Sequence, residues 1–420
     1  MNQSYYKPTI YNYPAVFPAS AEAPNPVQSQ PGPGWQPQPG ASPQGFQGYQ
    51  PVYPPPTFSC HPAQLGAPVQ IWQGDYPSSA QAAVYPPPQA APTFSLLNKD
   101  PRKSGSLRRL NLAAVLVMVQ TALSFVFPVA LSLILTAFRI DLQKDGLGML
   151  WLSAAISPVC TALPCLIYMW AGRLSWSEFF RFEKPGFFTG LLCVFSGLGV
   201  CLAGNFPAIA LEELLKSIGM SSSAGDVSLN PNHSFSGFLL QFAVVAILVP
   251  VMEEFAFRGV LYSSLSRYGT GFAIVGSALV FGMAHLMLPN VVFATIAGLA
   301  MGYVYAKTQN LWLTVAIHAL NNGISVINEN AALLVGESMA DVFAEYLMLV
   351  PIILGALSLI LLIVLCRKKL FGKSQMREVN QAQVMQPLKT GEALACYMKS
   401  VALWGLFLIV LGYTAFMFVL

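Results

Sequence analysis

The sequence predicts an all-α protein, a polytopic transmembrane helix bundle of about eight or nine spans with a disordered proline-rich N-terminal tail. Of its 420 residues, 55% are hydrophobic and only 10% are charged, whereas soluble proteins carry roughly 25% charged residues. The apolar residues gather in long stretches, and about 20 of them are enough to cross a bilayer as a helix. The first 99 residues are different, because they hold 21 of the 32 prolines.

The tail, taken as residues 1–100, is rich in Pro, Gln and Tyr and has few charges. Two Tyr-Pro-Pro-Pro runs, at 53–56 and 85–88, favour the polyproline II conformation. We interpret this composition as a disordered cytoplasmic segment, and the alternative is a docking segment for an aromatic-lined proline-binding groove. No apolar stretch follows a basic start, so a cleaved signal peptide is not expected.

Nine apolar stretches follow the tail, and we divide them among three regions. Residues 101–235 hold the N-terminal transmembrane helices, 236–330 a central core and 331–420 the C-terminal helices. The fifth, sixth and seventh stretches are the short ones. The predicted spans are 112–138, 147–170, 187–211, 238–262, 272–288, 291–305, 311–327, 346–366 and 401–419.

Lys and Arg predict how these spans are oriented. Cytoplasmic loops of membrane proteins carry an excess of Lys and Arg, and all the basic groups fall on one side if the N-terminus is cytoplasmic. The net charge of +4 is too small and too scattered to indicate a nucleic-acid partner, so the expected surroundings are the lipid bilayer. The basic groups lie at 102–109, 173–184, 267, 307 and 367–377.

Ionisable residues inside the central region predict a functional site. Such groups are costly in hydrocarbon and usually mark a pathway or a reactive centre. Carboxylates, imidazoles and an amide are the groups that can activate a water molecule and hold an oxyanion. Three motifs there share the spacing i, i+4, and they are Glu253-Glu254-x-x-x-Arg258, Phe281-x-x-x-His285 and His318-x-x-x-Asn322.

The spacing predicts how these groups are arranged. Residues i and i+4 share one helix face, so Glu254 can pair with Arg258. Glu253 lies about 100° round the helix from Glu254 and can line a cavity. Counted from the cytoplasmic ends of their spans, the groups lie roughly 12 to 22 Å deep, which is near the bilayer midplane. Pro250 cannot donate a hydrogen bond to Ala246, and we expect it to kink the fourth span.

Each motif alone also has a structural explanation. A single buried His or Asn usually forms an interhelical hydrogen bond, and an isolated Glu–Arg pair is more typical of structure than of catalysis. Glu212, Glu213 and Lys216 combine a double glutamate with a base in the same way. That set lies at the outer end of a span beside a Ser-, Gly- and Asn-rich loop, so we interpret it as interfacial.

In this order along 238–327, the three motifs resemble those of the CAAX prenyl protease and bacteriocin-processing (CPBP, Abi-type) family of intramembrane proteases. The resemblance implies that Glu253 and His285 activate the attacking water. It implies that His318 and Asn322 stabilise the oxyanion of the reaction intermediate. The pattern is complete in this chain, so an active enzyme is expected.

The i, i+4 spacing predicts supporting roles for Glu254, Arg258 and Phe281, because Glu254 can pair with Arg258 and Phe281 shares a helix face with His285. No cofactor is expected to be required, because asparagine is a poor zinc ligand and a good oxyanion donor. The alternative is a metallo-type enzyme, since two histidines and a glutamate can hold zinc with an open position. The zinc ligands would then be Glu253, His285 and His318.

Two functions are therefore weighed. The favoured one is an intramembrane endopeptidase of the bacterial cell membrane, acting on a membrane-associated protein or peptide. The alternative is a non-enzymatic polytopic protein, either a transporter or a bacteriocin-immunity-type binding protein. Transporters also place charges near the midplane beside broken helices, but the motif pattern is not repeated between the two halves of this chain. A prenylated CAAX tail, a bacteriocin leader and a membrane-tethered regulator all remain open as substrates.

Overall fold

The computed structural model describes residues 100–138, 158–220, 234–371 and 386–419, together with Gly148 and Ile156. The predicted tail lies outside the described residues, as does most of the first half of the second predicted span. Throughout the described ranges the secondary structure is helical, apart from an isolated antiparallel bridge between Phe182 and Asn310. The predicted all-α architecture is confirmed.

Among the residues that the structure describes, each of the nine predicted stretches contains a helix. We number the longer ones in chain order, and two short helices, Trp176–Phe179 and Ala331–Val335, are left unnumbered. The numbered helices are α1 (Pro101–Ala137), α2 (Leu163–Ala171), α3 (Phe187–Ala203), α4 (Asn205–Ser217), α5 (Phe235–Ser266), α6 (Thr270–Met283), α7 (Leu288–Thr308), α8 (Leu311–Glu329), α9 (Glu337–Phe371), α10 (Thr390–Lys399) and α11 (Val401–Val419).

Five of the described helical segments are long and apolar enough to cross a membrane: α1, α3 continued by α4, α5, α7 and α9. The pair α10 and α11, bent by 60°, adds a sixth. The remaining predicted spans correspond to α2 and α6, which are shorter, and to α8, whose His and Asn residues lower its mean hydropathy. The protein is therefore an integral, multi-pass membrane protein.

Helix α5 carries the glutamates, and its geometry alternates along its length. Two π-helical segments, Phe242–Leu248 and Phe255–Tyr262, flank the α-helical segment Val249–Glu254. Pro250 is the second residue of that α-helical segment, and Leu248 before it is already helical. Helix α5 passes through as one candidate span, and the kink at Pro250 stays a prediction. Wider π turns often occur at functional sites.

Close packing between α6 and α7 fixes the end of α6. A β-carbon on Gly282 would lie only 2.0 Å from the Thr295 hydroxyl oxygen on α7. On the adjoining turn, a β-carbon on Gly298 would lie 3.0 Å from the Ala278 Cα atom. Two glycines thus let the backbones of α6 and α7 approach closely, and the short turn between these helices is held in the bundle.

The connection between α7 and α8 is equally short. Gln309 ends α7 in the left-handed conformation with φ 49°, and the Asn310 side chain caps α8 by accepting from the Leu313 N–H at 3.2 Å. Asn310 also donates to the Glu183 carbonyl at 2.6 Å. The loop before α3 therefore anchors the start of α8, and with it the depth of His318.

Candidate active site

A buried ion pair lies at the centre of the candidate site. Glu253 and Glu254 end the α-helical segment of α5, and Arg258 follows in the next π segment. Arg258 Nη1 donates to Glu254 Oε1 at 2.6 Å, and the two side chains are 1% and 0% exposed. Such a pair is stable in a low-dielectric interior only while both partners are present.

His318 reaches this pair from α8 and contacts both glutamates. Its Nδ1 lies 2.9 Å from Glu254 Oε1, and its Nε2 lies 3.7 Å from Glu253 Oε2. Glu254 Oε1 therefore contacts both Arg258 Nη1 and His318 Nδ1. A carboxylate oxygen only accepts hydrogen bonds, so Nδ1 of His318 carries a proton. The motif spacing predicted the contact between Glu254 and Arg258, but it did not predict this bridge.

His285 lies just beyond α6, in the turn that joins α6 to α7. The fifth predicted span extended the helix to residue 288, but the helix ends at Met283 and Leu286 takes a positive φ of 61°. His285 Nδ1 lies 3.0 Å from the Phe281 carbonyl oxygen. A carbonyl can only accept, so Nδ1 donates, and the neutral ring then keeps its lone pair on Nε2.

The Phe281 ring packs against the residues that form the site. Its centroid is 5.1 Å from that of His285 and 5.8 Å from that of His318, both in edge-to-face geometry. Arg258 Cζ lies 4.4 Å from the same centroid, within range of a cation–π interaction. Phe257 packs edge-on at 4.9 Å on its other side. One aromatic ring thus fixes the positions of a cation and two imidazoles.

Asn322 lies one turn after His318 on α8, and its amide is held by two neighbours. Its Nδ2 donates to the Val245 carbonyl at 3.0 Å, inside the first π segment of α5. Its Oδ1 accepts from Asn321 Nδ2 at 3.3 Å. An amide nitrogen has two hydrogens, so one N–H of Asn322 is left for another acceptor. Sequence reasoning missed Asn321, although a second asparagine in an apolar helix was a visible signal.

Three buried polar atoms at the site have no hydrogen-bond partner among the described residues: Glu254 Oε2, Arg258 Nη2 and Asn321 Oδ1. Buried polar atoms are rarely left unsatisfied, and ordered water or a ligand normally satisfies them. Their grouping beside Glu253 and His318 indicates a polar site that can accept water or a polar ligand.

The predicted zinc alternative finds no support in the arrangement of the side chains. Among the residues that the structure describes, no three His, Cys, Asp or Glu side chains are grouped so that they could hold a metal ion. His318 Nδ1, moreover, is engaged by Glu254. We therefore derive no catalytic step through zinc.

Comparisons with known proteins cover this same part of the chain. Residues 235–324 match the family described as type II CAAX prenyl endopeptidase Rce1-like. YdiL of Bacillus subtilis (strain 168), whose name describes a membrane peptidase, is 25% identical over 147 residues, which cover 34% of this chain and 59% of YdiL. The membrane-embedded CAAX protease MroQ of Staphylococcus aureus (strain USA300) is 25% identical over 135 residues, which cover 29% of this chain and 55% of MroQ.

The chain thus matches somewhat more than half the length of each of these two relatives. No solved structure matches it significantly. The matched residues contain all three motifs, which confirms the resemblance that the motifs predicted. Residues 235–324 of this integral membrane protein are accordingly similar to the CAAX prenyl protease and bacteriocin-processing family.

Proposed function

We propose that the protein is an intramembrane endopeptidase that hydrolyses peptide bonds of membrane-associated proteins or peptides. The contact of His318 with both Glu253 and Glu254 supports this function best, because it joins two of the three family motifs inside the bundle. An ion pair kept only for structure would need no imidazole between two buried carboxylates.

Glu253 and His285 form the base in this proposal. The water proton goes to Glu253, while Nε2 of His285 accepts the second water hydrogen and orients the attacking oxygen. The contact of His285 Nδ1 with the Phe281 carbonyl supports this role, because a donating Nδ1 makes Nε2 the accepting nitrogen of the neutral ring. Attack forms a C–O bond at the scissile carbonyl and a tetrahedral oxyanion. When the C–N bond breaks, Glu253 returns its proton to the leaving amine.

His318 and Asn322 hold the oxyanion. With Nδ1–H directed at Glu254, His318 can donate from Nε2 only as an imidazolium. The second N–H of Asn322 supplies the other hydrogen bond. Preorganised donors of this kind are often the largest single contribution to catalysis.

Substrate and orientation belong to the same proposal. We place the protein in a bacterial cell membrane with its N-terminus and the α5–α6 and α7–α8 connections in the cytoplasm, because those loops carry Arg267 and Lys307. The scissile bond then enters from the cytoplasmic side in an extended segment near a lipid anchor or a span. The named activity of MroQ favours a CAAX-type substrate over a bacteriocin leader.

A cleavage assay with purified full-length protein tests the proposal. Reporter peptides carrying a farnesylated C-terminal CAAX tail, an unmodified CAAX tail or a membrane-anchored linker are incubated with wild-type protein, Glu253→Gln and Glu213→Gln. We expect cleavage by wild type and Glu213→Gln, and loss of at least about 100-fold in Glu253→Gln. Cleavage that persists in Glu253→Gln would refute the assignment, and no cleavage of any reporter would favour a non-enzymatic binding protein.

The same assay tests the metal-free mechanism. A chelator such as 1,10-phenanthroline should leave the wild-type rate within about two-fold, because no step of the proposed mechanism uses a metal ion. Loss of activity with the chelator, restored by added Zn²⁺, would show that a metal-dependent mechanism operates instead.

A further inference from the structure

We propose that Thr414, on the C-terminal helix α11, is a positioning residue for His285. The inference rests on the proposed function, since it concerns the base of that reaction, but Thr414 lies far outside the matched residues 235–324. Thr414 is 3% exposed, and its hydroxyl points at the turn that carries His285.

The Thr414 hydroxyl makes two hydrogen bonds to this turn. Its Oγ1 accepts from the Leu288 backbone N–H at 2.9 Å and donates to the Leu286 carbonyl oxygen at 3.2 Å. Leu286 and Leu288 lie one and three residues after His285. A single hydroxyl therefore closes the turn from outside, and it uses both its donor and its acceptor capacity to do so.

The turn needs such a partner because its backbone is not helical. Leu286 has a positive φ of 61°, an uncommon conformation for a residue with a large side chain. Leu288 begins α7, where the first N–H groups of a helix have no partner within the helix. Inside a bilayer, water is not generally available to satisfy such groups. Thr414 satisfies the carbonyl of the strained residue and the N–H of Leu288 two residues later, and this fixes the path of the turn that carries His285.

Helix α11 is held at the depth that this contact requires. At its start, Asn111 Oδ1 accepts from the Ser400 hydroxyl at 2.8 Å and from the Ala402 N–H at 3.2 Å. Fourteen residues separate Ser400 from Thr414, which corresponds to about 21 Å of helix. Next to Thr414, the Tyr413 ring packs on Phe125 of α1 at 5.9 Å. Two fixed points thus bring Thr414 and His285 to one level.

Hydrogen bonds on the α6 side also hold the turn, and they explain why a small shift of the turn would change the catalytic rate. His285 Nδ1 bonds the Phe281 carbonyl at 3.0 Å, and the His285 N–H bonds the Gly282 carbonyl at 3.0 Å. Both contacts hold His285 on the α6 side, whereas Thr414 holds the turn on the α7 side. Without the hydroxyl, the turn can rotate about the α6 anchor and move the imidazole. Misplacement by about 1 Å can cost roughly 100-fold in rate.

The test compares three variants of the full-length protein in nanodiscs. Thr414→Val removes the hydroxyl at nearly constant shape, and Thr414→Ser keeps it. Thr121→Val is the matched control, because Thr121 is a buried threonine of another helix, α1, at 8% exposure. Two quantities are measured: hydrogen exchange of a peptide covering 284–290, and kcat and KM on the reporter that wild type cleaves.

For Thr414→Val we expect exchange within 284–290 to rise at least about ten-fold and kcat to fall about 10- to 100-fold, with KM within about two-fold. Thr414→Ser and Thr121→Val should stay within about two-fold of wild type in both measurements. A Thr414→Val protein with unchanged exchange and unchanged kcat would overturn the proposal. So would a loss of stability that Thr414→Val and Thr121→Val share, with no separate effect on kcat.

The two proposals can fail separately. If wild type cleaves no reporter, the endopeptidase proposal fails, and the exchange measurement still decides whether Thr414 holds the His285 turn. If Thr414→Val does not fold, Thr414→Ala removes the hydroxyl without a second branch and replaces it in the comparison. Faster exchange with unchanged kcat would show that Thr414 supports the fold alone, and it too would overturn the positioning role.

Discussion

Two parts of this protein place a double glutamate beside a base, and they behave differently. On α4, Lys216 Nζ lies 3.0 Å from a carboxylate oxygen of both Glu212 and Glu213, and the side chains of Lys216 and Glu213 are 43% and 53% exposed. On α5, Glu254 and Arg258 pair at 2.6 Å with almost no exposure. The local patterns are similar, but the surroundings are opposite.

The difference shows what a sequence pattern can and cannot say about chemistry. Exposed pairs are worth about 0–1 kcal/mol, because water screens them. A buried pair costs desolvation on both sides, and evolution seldom keeps an ionisable cluster in a membrane without a use for it. On α5, moreover, a second helix, α8, contributes His318, which lies 3.7 Å from Glu253 and 2.9 Å from Glu254.

The largest difference between the two regions should appear in turnover. His285→Ala and Glu253→Ala should each lower kcat by about 10² to 10⁴, because each removes a group that acts on the attacking water. The kcat of the double variant should be scarcely lower than that of the less active single variant, since both residues act on one water molecule.

The control for this pair is Glu212→Ala combined with Glu213→Ala, which should stay within about two-fold of wild type. Multiplicative losses in the His285/Glu253 double variant, measured as kcat on one reporter, would show that the two residues act in separate steps.

The second-largest difference between the α5 and α4 regions should appear in the free energy of unfolding. Arg258→Ala leaves the Glu254 carboxylate in low dielectric and should cost about 3–5 kcal/mol, whereas Lys216→Ala should cost at most about 1 kcal/mol. Glu254→Gln should cost less than Arg258→Ala, because its amide oxygen can still accept from Arg258 Nη1.

Free energies of unfolding in detergent, measured with increasing denaturant, check this order. Equal losses for Arg258→Ala and Glu254→Gln would argue against a charged pair on α5. A loss for Lys216→Ala as large as that for Arg258→Ala would mean that exposure does not distinguish the two regions.

The third difference is expected at the two proposed oxyanion donors, His318 and Asn322. His318→Ala and Asn322→Ala should each lower kcat by about 10²-fold or more, close to 3 kcal/mol, with KM nearly unchanged, because an oxyanion exists only in the transition state and intermediate. Asn328→Ala is the control, since Asn328 lies on the same helix and its Oδ1 has no hydrogen-bond partner among the described residues.

A raised KM with unchanged kcat in His318→Ala or Asn322→Ala would place these side chains on the bound substrate instead. If Asn328→Ala reduced kcat as much as Asn322→Ala, the effect would belong to packing of α8 rather than to an oxyanion donor.

The sequence was enough to predict the helical fold and to propose the residues of the site, but it was not enough to predict how those residues are arranged. Hydropathy was enough for the helices, because a span must be apolar along its whole length. The i, i+4 rule anticipated the Glu254–Arg258 pair, since that contact is local. It placed His285 within a helix, but the helix ends at Met283 because the α6–α7 turn is set by long-range packing.

The contacts that sequence could not predict all join distant parts of the chain. The bridge from His318 to Glu253 and Glu254 spans more than 60 residues, and the contact from Thr414 to Leu286 spans 128. Neither has a local spacing rule. The π segments of α5 were also missed, because a π turn differs from an α turn by one residue per turn and leaves no hydrophobic period of its own.

The smallest energetic effect is expected on replacement of Lys216. The same position also gives the sharpest test of membrane orientation. Labelling requires exposed positions, and Ser264 and Thr308, which lie near the α5–α6 and α7–α8 connections, are only 3% and 7% exposed. Lys216 and Arg267 are both exposed. In a chain whose native cysteines are replaced by alanine, Lys216→Cys should react only with reagent supplied outside, and Arg267→Cys only with reagent supplied inside. Lys216→Cys should also change kcat by less than about two-fold, because exposed pairs contribute little.

Labelling of both positions from the same side would show that the two double-glutamate regions do not differ in orientation as proposed. Labelling of Arg267→Cys from outside would reverse the proposed direction of substrate entry and leave the chemistry at Glu253 as it stands.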